Sequence, residues 1–172
     1  IVQIGEVMEL LLDAFEQVMT AGPMAREPCH KLKVSVVDIK LHEDAIHRGP
    51  AQVYPAVREA VKEAFAKAIP CIFEPVQVHQ IEAPTEFMGA MTSLVSTKRG
   101  NLIDVAQEAS GTTIKAELPV QEMIGWTSDL RSSTEGRGIS SLVSQTFKKL
   151  PGDLQPKVVK QIRERKGLAE NQ

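Results

Sequence analysis

The sequence predicts an α+β fold built from a partial α/β unit over residues 1–70, a β-α-β-β-α-β domain over residues 71–150, and a basic helix with a tail over residues 151–172. Helical and strand-like hydrophobic patterns alternate along the chain, and Pro70 separates a first group of them from a second. The second group alone has the order of a complete small domain. With 42% hydrophobic and 24% charged residues, the composition is that of a globular protein.

The first predicted element is an amphipathic helix over residues 4–19. Its apolar residues recur at helical spacing with acidic residues between them, and they are Ile4, Met8, Leu11, Phe15 and Val18. Gly22-Pro23 is predicted to end it. The chain lacks an initiator Met and a signal-peptide pattern, so we expect a processed chain or a piece of a longer one.

Residues 32–41 are predicted to form a strand. Leu32, Val34 and Val36 alternate with polar residues, and the phase then flips so that Val37 and Ile39 become the apolar set. A flip within one strand indicates a bulge or burial on both faces. Because the first 70 residues supply few other strands, we expect the sheet neighbours of this strand to lie outside the sequence.

A polar segment over residues 42–52 follows, and Pro55 is predicted to begin a second helix. A proline in the first helical turn is favourable because its missing N–H has no helical partner. Val57, Val61 and Phe65 form the apolar face of this helix, which Pro70 ends.

The second part has the element order of a ferredoxin-like domain. The predicted elements are strand 75–81, helix 84–98, strands 101–109 and 112–118, helix 120–132 and strand 139–147. Ser110-Gly111 predicts a hairpin, and Lys98-Arg99-Gly100 places cations and a C′ glycine at the end of the first helix. A basic helix over 157–166 follows, whose charges suit either RNA phosphate or a solvated face.

Several function classes are excluded by missing motifs. The sequence has no G-x-x-x-x-G-K-[ST] phosphate loop, no G-x-S-x-G elbow, no C-x-x-C pair and no H-E-x-x-H helix. A net charge of −2 and 4% aromatic residues argue against a whole-chain basic footprint and against base stacking. No apolar run approaches the roughly 18 residues that a membrane span needs.

The polar segment contains the only unusual concentration of chemistry-bearing side chains. His42 and His47 are five residues apart, which on a helix points them to different sides and disfavours a metal site. On residue types alone, a solvated turn is favoured over a functional loop. Cys29 and Cys71 are expected to be reduced, with a disulfide between them as the alternative.

The order of residues changes that balance. Residues 38–49, DIKLHEDAIHRG, resemble the strand and tip loop in the fourth domain of the translation elongation factor 2 family of archaea and eukaryotes. Residues 15–23 resemble the preceding helix and turn of that family. Successive pieces of its fifth domain are resembled, in the same order, by residues 74–76, 98–100, 118–120 and 125–131. The similarity covers nearly the whole chain.

The resemblance implies the C-terminal part of a ribosomal translocase. Residues 1–70 would be the second half of the fourth domain, with a ribosomal-protein-S5-like fold, and residues 71–150 the ferredoxin-like fifth domain. The family moves tRNA and mRNA at the expense of GTP, but GTP and Mg would bind an upstream domain. We therefore expect no cofactor, no metal, no catalytic residue and no enzymatic activity in this chain. The implied partners are the small-subunit decoding centre, the large-subunit stalk base, tRNA and mRNA, in the cytoplasm and without a membrane.

By position in the motif, the resemblance implies that His47 is the residue converted to diphthamide by diphthamide-synthesis enzymes. The tip-loop residues expected to contact rRNA or tRNA are His42, Asp44, Arg48, Gly49 and Gln52. Arg48 is expected to touch RNA backbone and Gly49 to supply a tight turn, with His42 supporting the loop. Pro50-Ala51 replaces the glycines of eukaryotic members and stiffens this corner.

Two other interpretations stay open at this point. A ferredoxin-like regulatory module would bind a small molecule at its helix–strand loops and dimerise through its sheet. A free-standing RNA-binding protein is disfavoured by the scarcity of aromatic residues and by the lack of an RNP-type strand motif.

Overall fold

The computed structural model describes residues 2–169, and the side chains of residues 5–169. The described residues form two compact units, one of residues 2–71 together with 151–169 and the other of residues 72–150. The C-terminal segment therefore belongs to the first unit. No helix in the described part of the chain has both the length and the apolar character of a membrane span.

The regular elements follow one another in the predicted order from residue 50 onward. The helices and strands are α1 (Val2–Thr20), α2 (Pro50–Lys67), β1 (Phe73–Ala83), α3 (Met88–Thr97), β2 (Asn101–Glu108), β3 (Gly111–Pro119), α4 (Trp126–Ser133), β4 (Ile139–Lys149) and α5 (Gln155–Arg165). Short 3₁₀ turns cover Ala45–His47, Thr85–Phe87 and Val120–Met123. The last two occupy the beginnings of the segments predicted as helices 84–98 and 120–132.

Helix α1 packs on α2 through a narrower stripe than predicted. Val7, Ala14 and Val18 are buried, whereas Met8 is 43% exposed. These buried residues recur at steps of seven and four, which is helical periodicity. Val18 belongs to the predicted set, whereas Val7 and Ala14 each precede a predicted residue by one position. On α2, Val61 is buried, as its position on the predicted apolar face requires.

The predicted strand over residues 32–41 is not formed. The segment has no regular secondary structure, and Val36 and Val37 are 69% and 94% exposed, so burial on both faces is wrong. The physical reason is that a strand needs a neighbouring chain to receive its N–H and C=O groups. Among the described residues, no strand lies beside this segment.

Helix α2 begins five residues earlier than predicted. Gly49 is its N-cap and Pro50 is its first residue, while Pro55 lies inside the helix. Pro50 fits the first position because the N–H it lacks would have no partner there. Val53 N–H donates to the carbonyl of Gly49 at 3.0 Å, which starts the helical ladder before Pro55 interrupts it.

The second unit is a ferredoxin-like domain, as predicted. Its antiparallel sheet has the order β2-β3-β1-β4, and helices α3 and α4 pack on one face. Residues of β3 alternate between buried and half-buried positions. The core joins sheet and helices, and its buried members are Ile81, Ala83, Met91, Val95, Ile114, Ala116, Leu118, Trp126 and Leu130.

The end of α3 differs from the prediction in its use of glycine. Arg99, not Gly100, takes the left-handed conformation, with φ of 53°. Gly100 N–H donates to the Val95 carbonyl at 2.9 Å and Arg99 N–H to the Ser96 carbonyl at 3.1 Å, which is a Schellman motif with arginine at C′. A Cβ on Gly100 would lie 2.7 Å from Leu118 and from Val95, so glycine is needed for close packing.

Ion pairs offset the strained backbone of Arg99. Its guanidinium forms a bidentate pair with Glu74, at 3.2 and 3.0 Å, and its Nε donates to Glu122 at 2.9 Å. The hydrogen bonds with Glu74 raise the pKa of Arg99. A left-handed arginine can therefore tie the end of α3 to β1 and to the turn before α4.

A buried histidine lies between the sheet and α4. Trp126 Nε1–H donates to Ser140 Oγ at 3.0 Å, and Ser140 Oγ lies 2.8 Å from His79 Nδ1. His79 Nε2 lies 2.9 Å from Gln77 Oε1, which only accepts, so Nε2 carries the proton and Nδ1 accepts from Ser140. Burial lowers the pKa of His79.

Helix α5 is attached to the turn that follows α1. Arg163 Nη1 donates to the carbonyl of Met24 at 2.7 Å, and Lys166 Nζ donates to the carbonyls of Ala25 and Arg26 at 3.0 and 2.8 Å. Lys166 also pairs with Glu27 at 2.6 Å. Arg163 and Lys166, two of the cations expected to meet either RNA phosphate or solvent, thus bind groups inside the unit.

The Gly100→Ala variant is expected to lower the free energy of unfolding by about 1–3 kcal/mol, because its methyl group enters space already filled by Leu118 and Val95. Urea denaturation measures the change. The matched control is Gly89→Ala in α3, where no atom lies within 4 Å of the added Cβ and a gain of about 0.5–1 kcal/mol is expected. Equal effects of the two substitutions would contradict the packing argument.

The buried imidazole of His79 predicts acid sensitivity of the second unit. Because its pKa is lower in the folded than in the unfolded chain, the unfolded chain takes up the proton first as the pH falls through about 6.5. The stabilising contribution is complete above that pH and is lost below it. Unfolding free energies measured from pH 8 to pH 5 should fall more steeply for the wild type than for His79→Gln, and parallel profiles would refute this.

Candidate functional site

The candidate site is the loop of residues 42–49, between the extended segment and helix α2. Its centre is the 3₁₀ turn Ala45–His47. Asp44 caps this turn with an extended backbone, and its Oδ1 accepts the N–H of Ile46 at 3.1 Å. An aspartate preceding a helical turn satisfies an N–H that has no other partner, which is why the turn begins here.

His42 holds the first half of the loop. Its Nδ1 accepts the backbone N–H of Asp44 at 3.0 Å, which leaves Nε2 as the protonated nitrogen of the neutral ring. The ring meets that of His47 edge-on, with centroids 4.6 Å apart and planes at 68°. The ring of His42 therefore packs against the ring of His47 and limits its rotation.

His47 is exposed, as expected for a residue that a modifying enzyme must reach. Its backbone N–H donates to the Asp44 carbonyl at 3.2 Å, so the main chain is held while the side chain faces solvent. Among the described residues, its ring nitrogens have no hydrogen-bond partner. The neighbouring Ile46 is also 76% exposed, so the turn presents two side chains to a partner.

Arg48 has a different role from the one expected. Its side chain is only 10% exposed, and its Nη1 donates to the carbonyls of His42 and Glu43 at 3.0 and 3.2 Å. Its Nη2 pairs with Glu6 of α1 at 3.0 Å. The guanidinium is thus bound to groups inside the unit. The structure gives Arg48 a positioning role that closes the loop, in place of the expected contact with RNA backbone.

Gly49 does not supply a glycine-specific turn. Its φ of −82° and ψ of 174° are extended values that any residue adopts, so the expected tight turn is wrong. A Cβ at this position would lie 3.5 Å from Gln52 Oε1, which is ordinary contact. Gln52 is exposed in the first turn of α2, which directly follows the loop.

Sequence reasoning missed Glu6. This carboxylate lies 42 residues before Arg48 in the chain, on a helix whose acidic residues all look like a solvated face. No motif joins the two positions. Only the packing of α1 beside the loop reveals that Glu6 balances the charge buried there.

The loop carries no metal-binding arrangement. In the part of the chain that the structure describes, no three His, Cys, Asp or Glu side chains are grouped to hold an ion. Both cysteines are free, and burial raises the pKa of Cys29.

Comparisons with known proteins match both units to domains of known families. The family model described as Elongation factor G, domain IV matches residues 2–69, and the one described as Elongation factor G C-terminus matches residues 71–170. Proteins named Elongation factor 2 from Nanoarchaeum equitans, Pyrococcus furiosus and Methanocaldococcus jannaschii are 49%, 48% and 45% identical to the chain over 168 residues. These matches cover 98% of the chain and 23% of each relative. They agree with the resemblance found in the sequence and not with a regulatory module.

The Arg48→Met variant is expected to loosen the loop, because it removes the donor shared by the carbonyls of His42 and Glu43. The amides of His47 and Arg48, which bond to Asp44 and Ala45, should exchange hydrogen about tenfold faster, in line with loss of a charged hydrogen bond. NMR-detected exchange measures this. Arg58→Met, an exposed change on α2, is the matched control, and unchanged exchange in Arg48→Met would refute the clamp.

Proposed function

The chain belongs to the family of elongation factors G and 2, whose domain IV and C-terminal domain it carries, and on this premise we propose that it is the part of a translocase that reaches the ribosomal decoding centre. Translation elongation is the function of the family. In this proposal residues 42–49 enter the small subunit beside the tRNA–mRNA duplex. The second unit contacts the large subunit near its stalk base.

The observation that carries the proposal is the presentation of His47. Its ring is exposed while Asp44 and Arg48 hold the main chain on either side of it. A recognition element of this kind loses little conformational entropy on binding, because its backbone is already fixed. The loop is therefore suited to contact rather than catalysis.

The charges of the loop explain why a modification at His47 is useful. Glu43 and Asp44 are negative, and the positive charge of Arg48 is paired with Glu6. An imidazole carries no fixed charge. The unmodified loop thus offers RNA phosphate no free cation. Diphthamide adds a trimethylammonium and an amide, which supply a permanent positive charge and hydrogen bonds at the exposed ring.

The GTP chemistry of the whole factor is proposed to reside outside this chain. The sequence contains no phosphate loop, and the chain spans only 23% of the length of the relatives named above. The described residues would guide the movement of tRNA and mRNA, which GTP hydrolysis in another part of the factor would drive. The factor would act in the cytoplasm.

Chain produced in archaeal or eukaryotic cells is expected to carry a mass increase on His47. Trypsin cleaves after Lys40 and Arg48 and releases residues 41–48, which contain both His42 and His47, so fragment ions must assign the shift to one ring. Chain from bacteria should give the plain peptide. His30→Gln should keep the shift and His47→Gln should abolish it. An unmodified peptide from cells with working diphthamide enzymes would contradict the assignment.

The modified and bacterial chains form a matched pair for the contact itself. If the added cation meets RNA, the modified chain should bind archaeal small subunits more tightly, with a steeper dependence on salt. Sedimentation of the chain with purified small subunits measures the difference. Equal affinities at every salt concentration would contradict the charge argument.

A further inference from the structure

A second feature of the first unit is a cleft that the loop does not use. It lies between the end of α1, the turn that follows, helix α2 and helix α5, and its volume is about 430 Å³. The lining residues are Gln17, Val18, Ala21, Gly22, Pro23, Arg26, Arg58, Lys62, Arg163 and Leu168.

The lining is strongly cationic. Arg26, Arg58, Lys62 and Arg163 make up four of its ten residues, and none of the ten is an aspartate or a glutamate. The whole chain, in contrast, has a net charge of −2. The positive charge is therefore concentrated here against the average of the molecule, which produces a local field that attracts anions.

Two of these cations come from one face of α2. Arg58 and Lys62 are four residues apart in the helix and so lie side by side. Neither forms an ion pair or a hydrogen bond through its side chain with a described residue, and both are exposed. Like charges at this spacing repel each other, and an anion that binds between them would relieve that repulsion.

Arg163 is held in place by uncharged groups. Its Nη1 and Nε donate to the carbonyls of Met24 and Ala169 at 2.7 and 3.1 Å. Carbonyl oxygens orient a guanidinium without neutralising its charge. Arg163 therefore remains a positioned cation at the edge of the cleft.

Of three acidic residues near the cleft, one forms an ion pair and two line a separate hollow. Glu27 pairs with Lys166 at 2.6 Å. Asp13 and Glu16 line a different shallow hollow on α1, where Tyr54 donates to Asp13 at 3.4 Å. None of these three acids is among the lining residues of the cleft.

We propose that this basic cleft binds the phosphate backbone of RNA, as a second contact separate from the loop. Cations drawn from the turn, α2 and α5 suit a run of phosphates better than one small anion. The absence of aromatic residues from the lining favours backbone over base recognition. The choice of RNA as the polyanion rests on the proposed function.

The test compares two doubly substituted chains with the same net charge. Arg58→Gln/Lys62→Gln removes two cations from the cleft, and Lys157→Gln/Arg165→Gln removes two exposed cations of α5 that do not line it. Binding of labelled oligouridine is measured by fluorescence anisotropy between about 50 and 200 mM KCl. The cleft variant should bind about tenfold more weakly, and the slope of log K against log salt should become shallower by about 1.4, the value for two lost contacts with a single strand.

The outcomes separate this inference from the proposed function. Equal losses in the two variants would overturn the cleft and indicate non-specific attraction, as would no loss in either. Bacterial chain is used throughout, so diphthamide does not enter. His47→Gln should leave oligouridine binding unchanged, and a loss confined to that variant would assign the contact to the loop instead. Circular dichroism of each variant verifies that α2 and α5 remain folded.

Discussion

The guanidinium of Arg48 is the interaction on which the arrangement of the loop depends. It joins the start of the loop, through the carbonyls of His42 and Glu43, to α1 through the carboxylate of Glu6. A buried cation is costly unless it is paired and hydrogen-bonded, and these partners meet that requirement at Nη1 and Nη2. Its buried Nε has no partner among the described residues, a cost of about 1–3 kcal/mol. The loop therefore keeps its shape at the expense of its only arginine.

This use of Arg48 determines what the surface of the loop can do. With the guanidinium turned inward, the exposed groups are the rings of His42 and His47 and the carboxylates of Glu43 and Asp44. Such a surface repels phosphate. For the proposed contact with RNA, a positive charge must then be added to the loop or be supplied elsewhere in the unit. The proposed modification of His47 and the proposed RNA contact of the cleft beside α5 would each supply such a charge.

Local sequence patterns predicted much of the fold. They gave wrong predictions where the conformation of a segment depends on residues that are distant in the chain. The β-α-β-β-α-β order and the burial of Met91 and Val95 follow from periodicity and turn residues. The extended segment over residues 32–41 has strand periodicity, but no pattern within it supplies a neighbouring strand. Arg99 is left-handed because Gly100 is required for packing against Leu118, a contact 18 residues away in the chain.

The candidate site shows the same division. The residue order of the loop predicts that it belongs to domain IV of the elongation-factor family. The role of Arg48, in contrast, depends on Glu6 and could not be deduced from the motif. An arginine in a polar loop is ordinarily exposed, so an RNA contact was the natural expectation. Pairing across 42 residues reverses it, and no property of the loop sequence distinguishes an inward from an outward arginine.

Helix α2 connects the two surfaces mechanically. It begins at Pro50, directly after the loop, and carries Arg58 and Lys62 in the cleft. At 1.5 Å per residue, these cations lie about 12 and 18 Å along the axis from the loop. Pro50, where the helix follows the loop, and the two cations belong to one helix, so helical hydrogen bonds hold their spacing. Under the two proposals, an RNA that binds the loop and the cleft together must match this spacing.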